Sequence, residues 1–159
     1  MEIKKFCDAY FGDVFNVVHT TIEEIYSKYY PRSAVDFYHN YHSRENMKNQ
    51  IPNEYTLVLM DNCIIFGTGA VLKNEIRRFF ILPEYQGKGY GKTLIKELEK
   101  NVNKELYDKY FLYASLASAN FYLKNNYMYK NFCKEEMPDN KYLCYFEMEK
   151  HICKTVDKN

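Results

Sequence analysis

Between Pro52 and Pro83 the chain writes a strand three times over, as "EYTLVLM", "CIIFGTGAVL" and "EIRRFFIL". The runs are short and rich in β-branched and aromatic residues, and only Asp61-Asn62 and Lys73-Asn74 separate them. Polar two-residue links of that kind close hairpins, so the three runs predict an antiparallel meander. A meander must cover its apolar face, and the flanking sequence supplies helices to do so. Upstream, Val14, Val17, Val18, Thr21, Ile22 and Ile25 recur at helical spacing, predicting a helix from about Asp13 to Tyr30 that Pro31 ends. A second helical stretch runs through "AVDFYHNYHSRENMKNQI" to Pro52, and a short first strand falls around Ile3 to Cys7. Downstream, Leu94, Ile95, Leu98 and Val102 form one apolar stripe, the mark of an amphipathic helix beginning near Gly89. "YFLYA" then reads as a buried strand and "SANFYLKNN" as a short helix, with "YMYKNFCKE" and "KYLCYFEME" as a hairpin around Pro138-Asp139-Asn140. The expected order is βααβββαβαββ, an α/β or α+β fold.

At 159 residues the chain reads as one domain, over residues 1–150, followed by a short polar tail at 151–159. With 22 basic and 21 acidic residues it advertises no polyanion-binding surface, so no nucleic-acid partner is expected. "MEIKKFCDAY" lacks the apolar stretch of a signal peptide and no run approaches membrane-spanning length. A cytoplasmic protein with no membrane partner is expected. Aromatics reach 18%, all of them Tyr and Phe, which argues for a filled core and aromatic-walled clefts. Cys7, Cys63, Cys133, Cys144 and Cys153 are odd in number and contain no CxxC pair, so reduced structural thiols are expected in place of disulfides or zinc.

The segment after the third strand, "PEYQGKGYGKT", sets three glycines at alternate positions beside two lysines. A Walker A loop needs four residues between its first glycine and Gly-Lys-Thr, and here Gly87 and Gly91 enclose three. A Rossmann fingerprint needs G-x-G-x-x-G in a parallel βαβ unit, and this loop is G-x-G-x-G after an antiparallel meander. Gln86, Gly89 and Gly91 instead spell Gln-x-x-Gly-x-Gly, running from a strand end into a helix start. Unsatisfied N–H groups at a helix start bind pyrophosphate, and glycine lets the phosphates approach.

In that segment, "FFILPEYQGKGYGKTLI", the chain resembles motif A of the GCN5-related N-acetyltransferases. "SLASANFYLKNNY" resembles the same family's motif B, with Asn126 standing where that family usually has glycine. The resemblance follows the element order of the whole domain and is specific from about Glu75 to Tyr127. It implies a mixed central sheet and an acyl-CoA N-acyltransferase fold, with acetyl-CoA as cosubstrate bound across the splayed middle of the sheet and no metal. It further implies that Gln86, Gly87, Lys88, Gly89, Tyr90, Gly91 and Lys92 hold the pyrophosphate. Phe79, Phe80 and Ile81 would offer backbone groups to the pantetheine and thioester carbonyl, and Ser115 would contact the pantetheine. Tyr122 would protonate the departing thiolate. Glu75, eleven residues before Gln86, stands where one branch of the family has its general base, with bound water as the other candidate.

The function expected is transfer of an acetyl group to a small primary amine or a peptide amine, by a monomer or homodimer. The rival is a non-catalytic acyl-CoA-binding module, which keeps the glycine loop but needs neither Tyr122 nor a base. A nucleotide-binding P-loop protein comes third. His39 and His42, three apart on the second predicted helix, read as partly exposed histidines before a metal pair, because no third ligand is in evidence. In the fold that the resemblance implies, the acceptor is contacted mainly by the first two helices and the last hairpin. These are rich here in Tyr26, Tyr29, Tyr30, Tyr38, Tyr41 and Tyr145, which suit an amine or aromatic ligand and equally suit simple packing.

Overall fold

The computed structural model describes residues 1–153. β1 (Glu2–Lys5) leads into α1 (Phe11–Thr21), α2 (Arg32–Tyr41) and α3 (Arg44–Gln50). The meander follows as β2 (Tyr55–Asp61), β3 (Ile64–Leu72) and β4 (Glu75–Ile81), then α4 (Tyr90–Glu99), β5 (Lys109–Ser115), α5 (Ala119–Leu123), β6 (Met128–Glu136) and β7 (Tyr142–His151). The seven strands form one sheet in the order β1-β2-β3-β4-β5-β7-β6. Every pairing is antiparallel except that of β4 with β5, which is parallel and reduced to one rung, Glu75 opposite Phe111. The sheet is therefore mixed, as expected, and splayed at its centre.

Strand alternation divides the core in two. Leu57 and Leu59 of β2 face α4, where Leu94, Ile95 and Leu98 are almost fully buried. Val58 and Met60, which alternate with them, face α1 to α3 and meet Val14, Val17, Val18 and Met47.

Two helical expectations are corrected. The first helix does not run unbroken to Tyr30: α1 ends at Thr21 and a π turn follows over Ile22–Tyr26. The wider turn keeps Ile22 buried while Tyr26 reaches a cleft on the sheet. The second helix is two, because His42 closes α2 and Ser43 caps α3, its hydroxyl accepting from Asn46 N–H at 3.2 Å. Of the tail expected at 151–159, His151 still pairs with Lys109 and Ile152 N–H donates to Asp108 O at 2.8 Å, while 154–159 lie outside the described residues.

A side chain ends the β5–β7 ladder. Its last rung is Ser115 opposite Tyr145, and the next would join Leu116 to Cys144. Instead the Tyr30 hydroxyl sits between them, accepting from Leu116 N–H at 2.7 Å and donating to Cys144 O at 2.8 Å. Phenylalanine at position 30 would leave both peptide groups unpaired in a ring site only 7% exposed. Tyr30→Phe should therefore destabilise the fold by about 1–3 kcal/mol, a fall in Tm of about 2–10 °C in thermal unfolding. An unchanged Tm would mean that the hydroxyl bridges nothing that needs it.

Candidate functional site

β4 is regular from Phe80 onwards, where Thr68 and Gly67 of β3 face Phe80 and Ile81, but the register slips before that. Ala70 faces Arg77, so three steps along β4 match two along β3. The extra residue is taken up as a bulge in which Arg78 adopts φ 48°, a left-handed conformation costly for a non-glycine residue. Gly69 lies opposite, where a Cβ would come within 2.7 Å of Leu98 and 3.1 Å of Phe79.

The Arg78 guanidinium explains why the bulge holds. Side-chain exposure is 1% for both Arg78 and Glu54, and Nη2 donates to the two Glu54 oxygens at 3.2 Å and to Gln50 Oε1 at 2.7 Å. Nη1 lies 3.1 Å from His42 Nδ1. One buried cation thus joins β4, the approach to β2, α3 and the end of α2. Arg77 flanks the same carboxylate, its Nε 3.4 Å from Glu54 and 3.9 Å from Glu75.

Past the bulge, Leu82 N–H bonds to Phe66 O on the β3 side at 2.9 Å. In that same trans peptide the Ile81 end points the other way, towards the opening beside β5. There its carbonyl accepts from the Gln86 side-chain amide at 2.8 Å, so Gln86 ties the glycine loop to the strand it leaves. Gly87 and Gly89 take φ 75° and 85°, and a Cβ on either would meet open space. Gly89 is the N-cap of α4 with no side-chain cap, and Thr93 N–H makes the first helical bond back to Gly89 O at 3.2 Å. The N–H groups of Tyr90, Gly91 and Lys92 therefore have no partner within the helix. Gly91 answers to packing, since a Cβ there would lie 2.9 Å from the Phe121 ring. Phe66 holds the loop from beneath, with Tyr85 stacked at 4.3 Å and Tyr90 tilted at 5.1 Å.

A cleft of about 250 Å³ opens where β4 leaves β5. Glu75, Phe79, Phe80, Ser115 and Tyr122 all line it, together with Tyr26, Tyr38, Tyr41 and Tyr145 from the helices and the hairpin. The loop residues from Gln86 to Lys92 lie outside it. Ser115 Oγ is 2.9 Å from Ser118 Oγ. Tyr122 is 5% exposed with its ring edge-on to Phe79, and burial pushes its hydroxyl well above the ordinary tyrosine range. Burial likewise pushes Tyr26 up to about 12. At Glu75, burial raises the carboxyl above the ordinary glutamate range; Arg77 pulls the other way and Glu54 adds to the rise.

His39 and His42 do not share a surface, and the partly exposed reading is corrected for His42, which is 6% exposed. His39 faces α1, with Nδ1 2.7 Å from His19 Nδ1 and Nε2 3.0 Å from Glu23, whereas His42 faces Arg78. Among the described residues no group of His, Cys, Asp or Glu could hold a metal, and all five cysteines are free. The same residues include no helix long and apolar enough to cross a membrane. Glu54, Arg77 and Arg78 escaped the sequence reading; Gly69 inside a strand was the available sign of the bulge.

A mixed sheet splayed beside a bulged strand, with a glycine loop opening the next helix, defines an acyltransferase-type α+β fold. The model of the acetyltransferase (GNAT) domain family matches residues 25–152, and the chain belongs to that family. A GCN5-related N-acetyltransferase from Rhodopseudomonas palustris superposes with TM-score 0.83 at 18% identity, over 95% of each chain. The PaiA N-acetyltransferase of Thermoplasma acidophilum, solved with coenzyme A, gives 0.70 at 23% identity over 95% of this chain and 98% of that one. The ribosomal-protein-S18-alanine N-acetyltransferase of Escherichia coli gives 0.69 at 14% identity over 99% and 97%. A search of curated protein sequences finds no match. At these identities the likeness is one of fold.

Arg77 is the one neighbour that lowers the Glu75 carboxyl, so removing it leaves burial and Glu54 unopposed. In Arg77→Met, Glu75 should titrate at higher pH than in the wild-type protein, as followed by carbon NMR of the carboxyl. A titration at the wild-type pH or lower would show that Arg77 does not set its charge.

Proposed function

We propose that the protein transfers the acetyl group of acetyl-CoA to a primary amine of a small molecule or peptide, by direct attack on the thioester. The carrying observation is that Glu75, the β4 edge, Ser115 and Tyr122 meet in one cleft at the splay, with a glycine-opened helix start following the same strand. The coenzyme A bound to the Thermoplasma acidophilum relative supports the same cosubstrate here.

In this reading the unsatisfied N–H groups at the start of α4, with Lys88 and Lys92 nearby, take the pyrophosphate. The open space beside Gly87 and Gly89 fits such a group. Peptide groups of Phe79 to Ile81 hold the pantetheine and polarise the thioester carbonyl, and Ser115 contacts the pantetheine. Glu75, directly or through water, removes the ammonium proton; its raised pKa suits that task, and protonation stops it as pH falls through that value. The amine nitrogen forms the new C–N bond as the C–S bond breaks. The Tyr122 hydroxyl then gives its proton to the sulfur; burial keeps the phenol protonated beforehand, and the transfer has to work against that raised pKa.

The decisive experiment is release of free CoA thiol from acetyl-CoA across a panel of amines, polyamines, amino acids, aminoglycosides and peptide N-termini. Thiol release that depends on an amine supports transfer; acetyl-CoA binding without release under any amine would leave a binding module.

At Gly89 a valine would meet open space but would have to adopt φ 85°, which a β-branched residue does not tolerate. Gly89→Val should fold and lose acetyl-CoA affinity by at least about tenfold in calorimetry, one lost charge-assisted hydrogen bond's worth. Unchanged affinity in the folded variant would sink the loop assignment.

Tyr122→Phe removes a proton donor and keeps the ring. Turnover should fall by on the order of 10²-fold in kcat, with acetyl-CoA affinity little changed. Wild-type kcat in this variant would return Tyr122 to the core.

A further inference from the structure

His42 ends α2 with its ring turned inward between the Tyr41 and Phe80 rings, each edge-on to it at 5.0 and 5.3 Å. Arg78 Nη1 lies 3.1 Å from Nδ1. A guanidinium has only hydrogens to offer, so the nitrogen facing it must present a lone pair. The ring proton therefore resides on Nε2, and the tautomer is fixed by a neighbour that cannot reverse its role. Burial and the Arg78 charge hold His42 well below the ordinary histidine range, which keeps the ring neutral.

The Nε2–H bond is thus a standing donor, and no protein group among the described residues accepts it. Thr56 Oγ1 is the one side-chain polar atom among those residues that is both sealed off and unpartnered, so Nε2 is not sealed off, and the opening that His42 lines is the cleft. A 94% buried histidine that lines the cleft and carries a fixed, unpaired donor calls for an oxygen on the molecule that fills it. Glu75 and His42 line the same cleft of about 250 Å³, so one small molecule that fills it meets both, and its oxygen belongs close to its reacting amine.

Resting on the acetyltransferase reading, we propose that His42 is a specificity-determining donor that selects amines bearing a carbonyl oxygen close to the amino group over plain alkylamines. The chemical class is an α-amino amide, including a peptide N-terminus. A plain amine would leave the buried Nε2–H unpaired, and a site built to hydrogen-bond its substrate discriminates against the analogue that cannot.

The test compares kcat/KM, per free amine, for phenylalanine amide and phenethylamine in the wild-type protein and in His42→Phe. The wild-type ratio should favour the amide by about tenfold or more, and His42→Phe should cut that ratio by about tenfold. Arg78→Met, which frees the other ring nitrogen, should lower the ratio in the same direction. A ratio unchanged in folded His42→Phe, including an equal fall on both amines, overturns the inference and leaves the transferase reading standing. Equal wild-type use of the two amines does the same. Acetyl-CoA binding without transfer to any amine of the wider panel overturns the transferase reading and this one with it. Nitrogen NMR of the His42 ring gives a readout independent of activity: a protonated Nε2 and bare Nδ1 from pH 5 to 8 are expected. The opposite tautomer, or titration near the ordinary histidine value, overturns the assignment.

Discussion

A sheet that parts in the middle leaves peptide groups that would have paired across the gap, and a buried peptide group without a partner costs on the order of 1–3 kcal/mol. β4 and β5 share one rung and then diverge, so the fold must answer that cost with side chains. The Asn74 amide reaches Lys109 O at 3.0 Å at the closed end. Near the other end Gln86 and Thr21 converge on the Ile81 carbonyl, at 2.8 and 3.4 Å. The protein thus closes what it can from the loop and from α1, and the unclosed remainder is the lining of the cleft.

The second constraint is charge. Arg78, Arg77, Glu54 and Glu75 put two cations and two anions around one stretch of β4, with Arg78 and Glu54 almost wholly out of water. Ionised groups persist at such burial only when paired and hydrogen-bonded. Because the guanidinium is satisfied only where Glu54, Gln50 and His42 stand, it holds the left-handed backbone at Arg78 in place. The bulge, the tautomer of His42 and the acidity of Glu75 are three outcomes of one arrangement.

Local patterns made much of this legible. The meander was readable because Asp61-Asn62 and Lys73-Asn74 are turn-formers between β-branched runs, and residues 62, 63 and 73 do take positive φ. α4 was readable from Leu94, Ile95 and Leu98, and Asn126 adopts the φ of 68° that a helix-ending asparagine tolerates. The break at Ser43 was hidden because polar helix residues surround it, and a capping serine looks like any other until the helix behind it stops. The ion network was hidden for another reason. Glu54 and Arg78 are far apart in sequence and meet only because β2 and β4 flank β3, so no periodicity could join them. Of the candidate site, the residues along one strand and one loop were visible, while those brought in across the sheet were not.

The Tyr30 hydroxyl gives the cleft a property that a sheet alone would not. Strands joined by peptide rungs can lengthen or shorten their pairing by one rung, because each rung is like the next. A phenol standing in for a rung is a terminus of fixed span: two hydrogen bonds and one oxygen separate Leu116 from Cys144, and the ring anchors that oxygen to the turn before α2. The mouth between β5 and β7 is thereby gauged by the covalent length of a side chain, and the hairpin cannot zip further inward without expelling it.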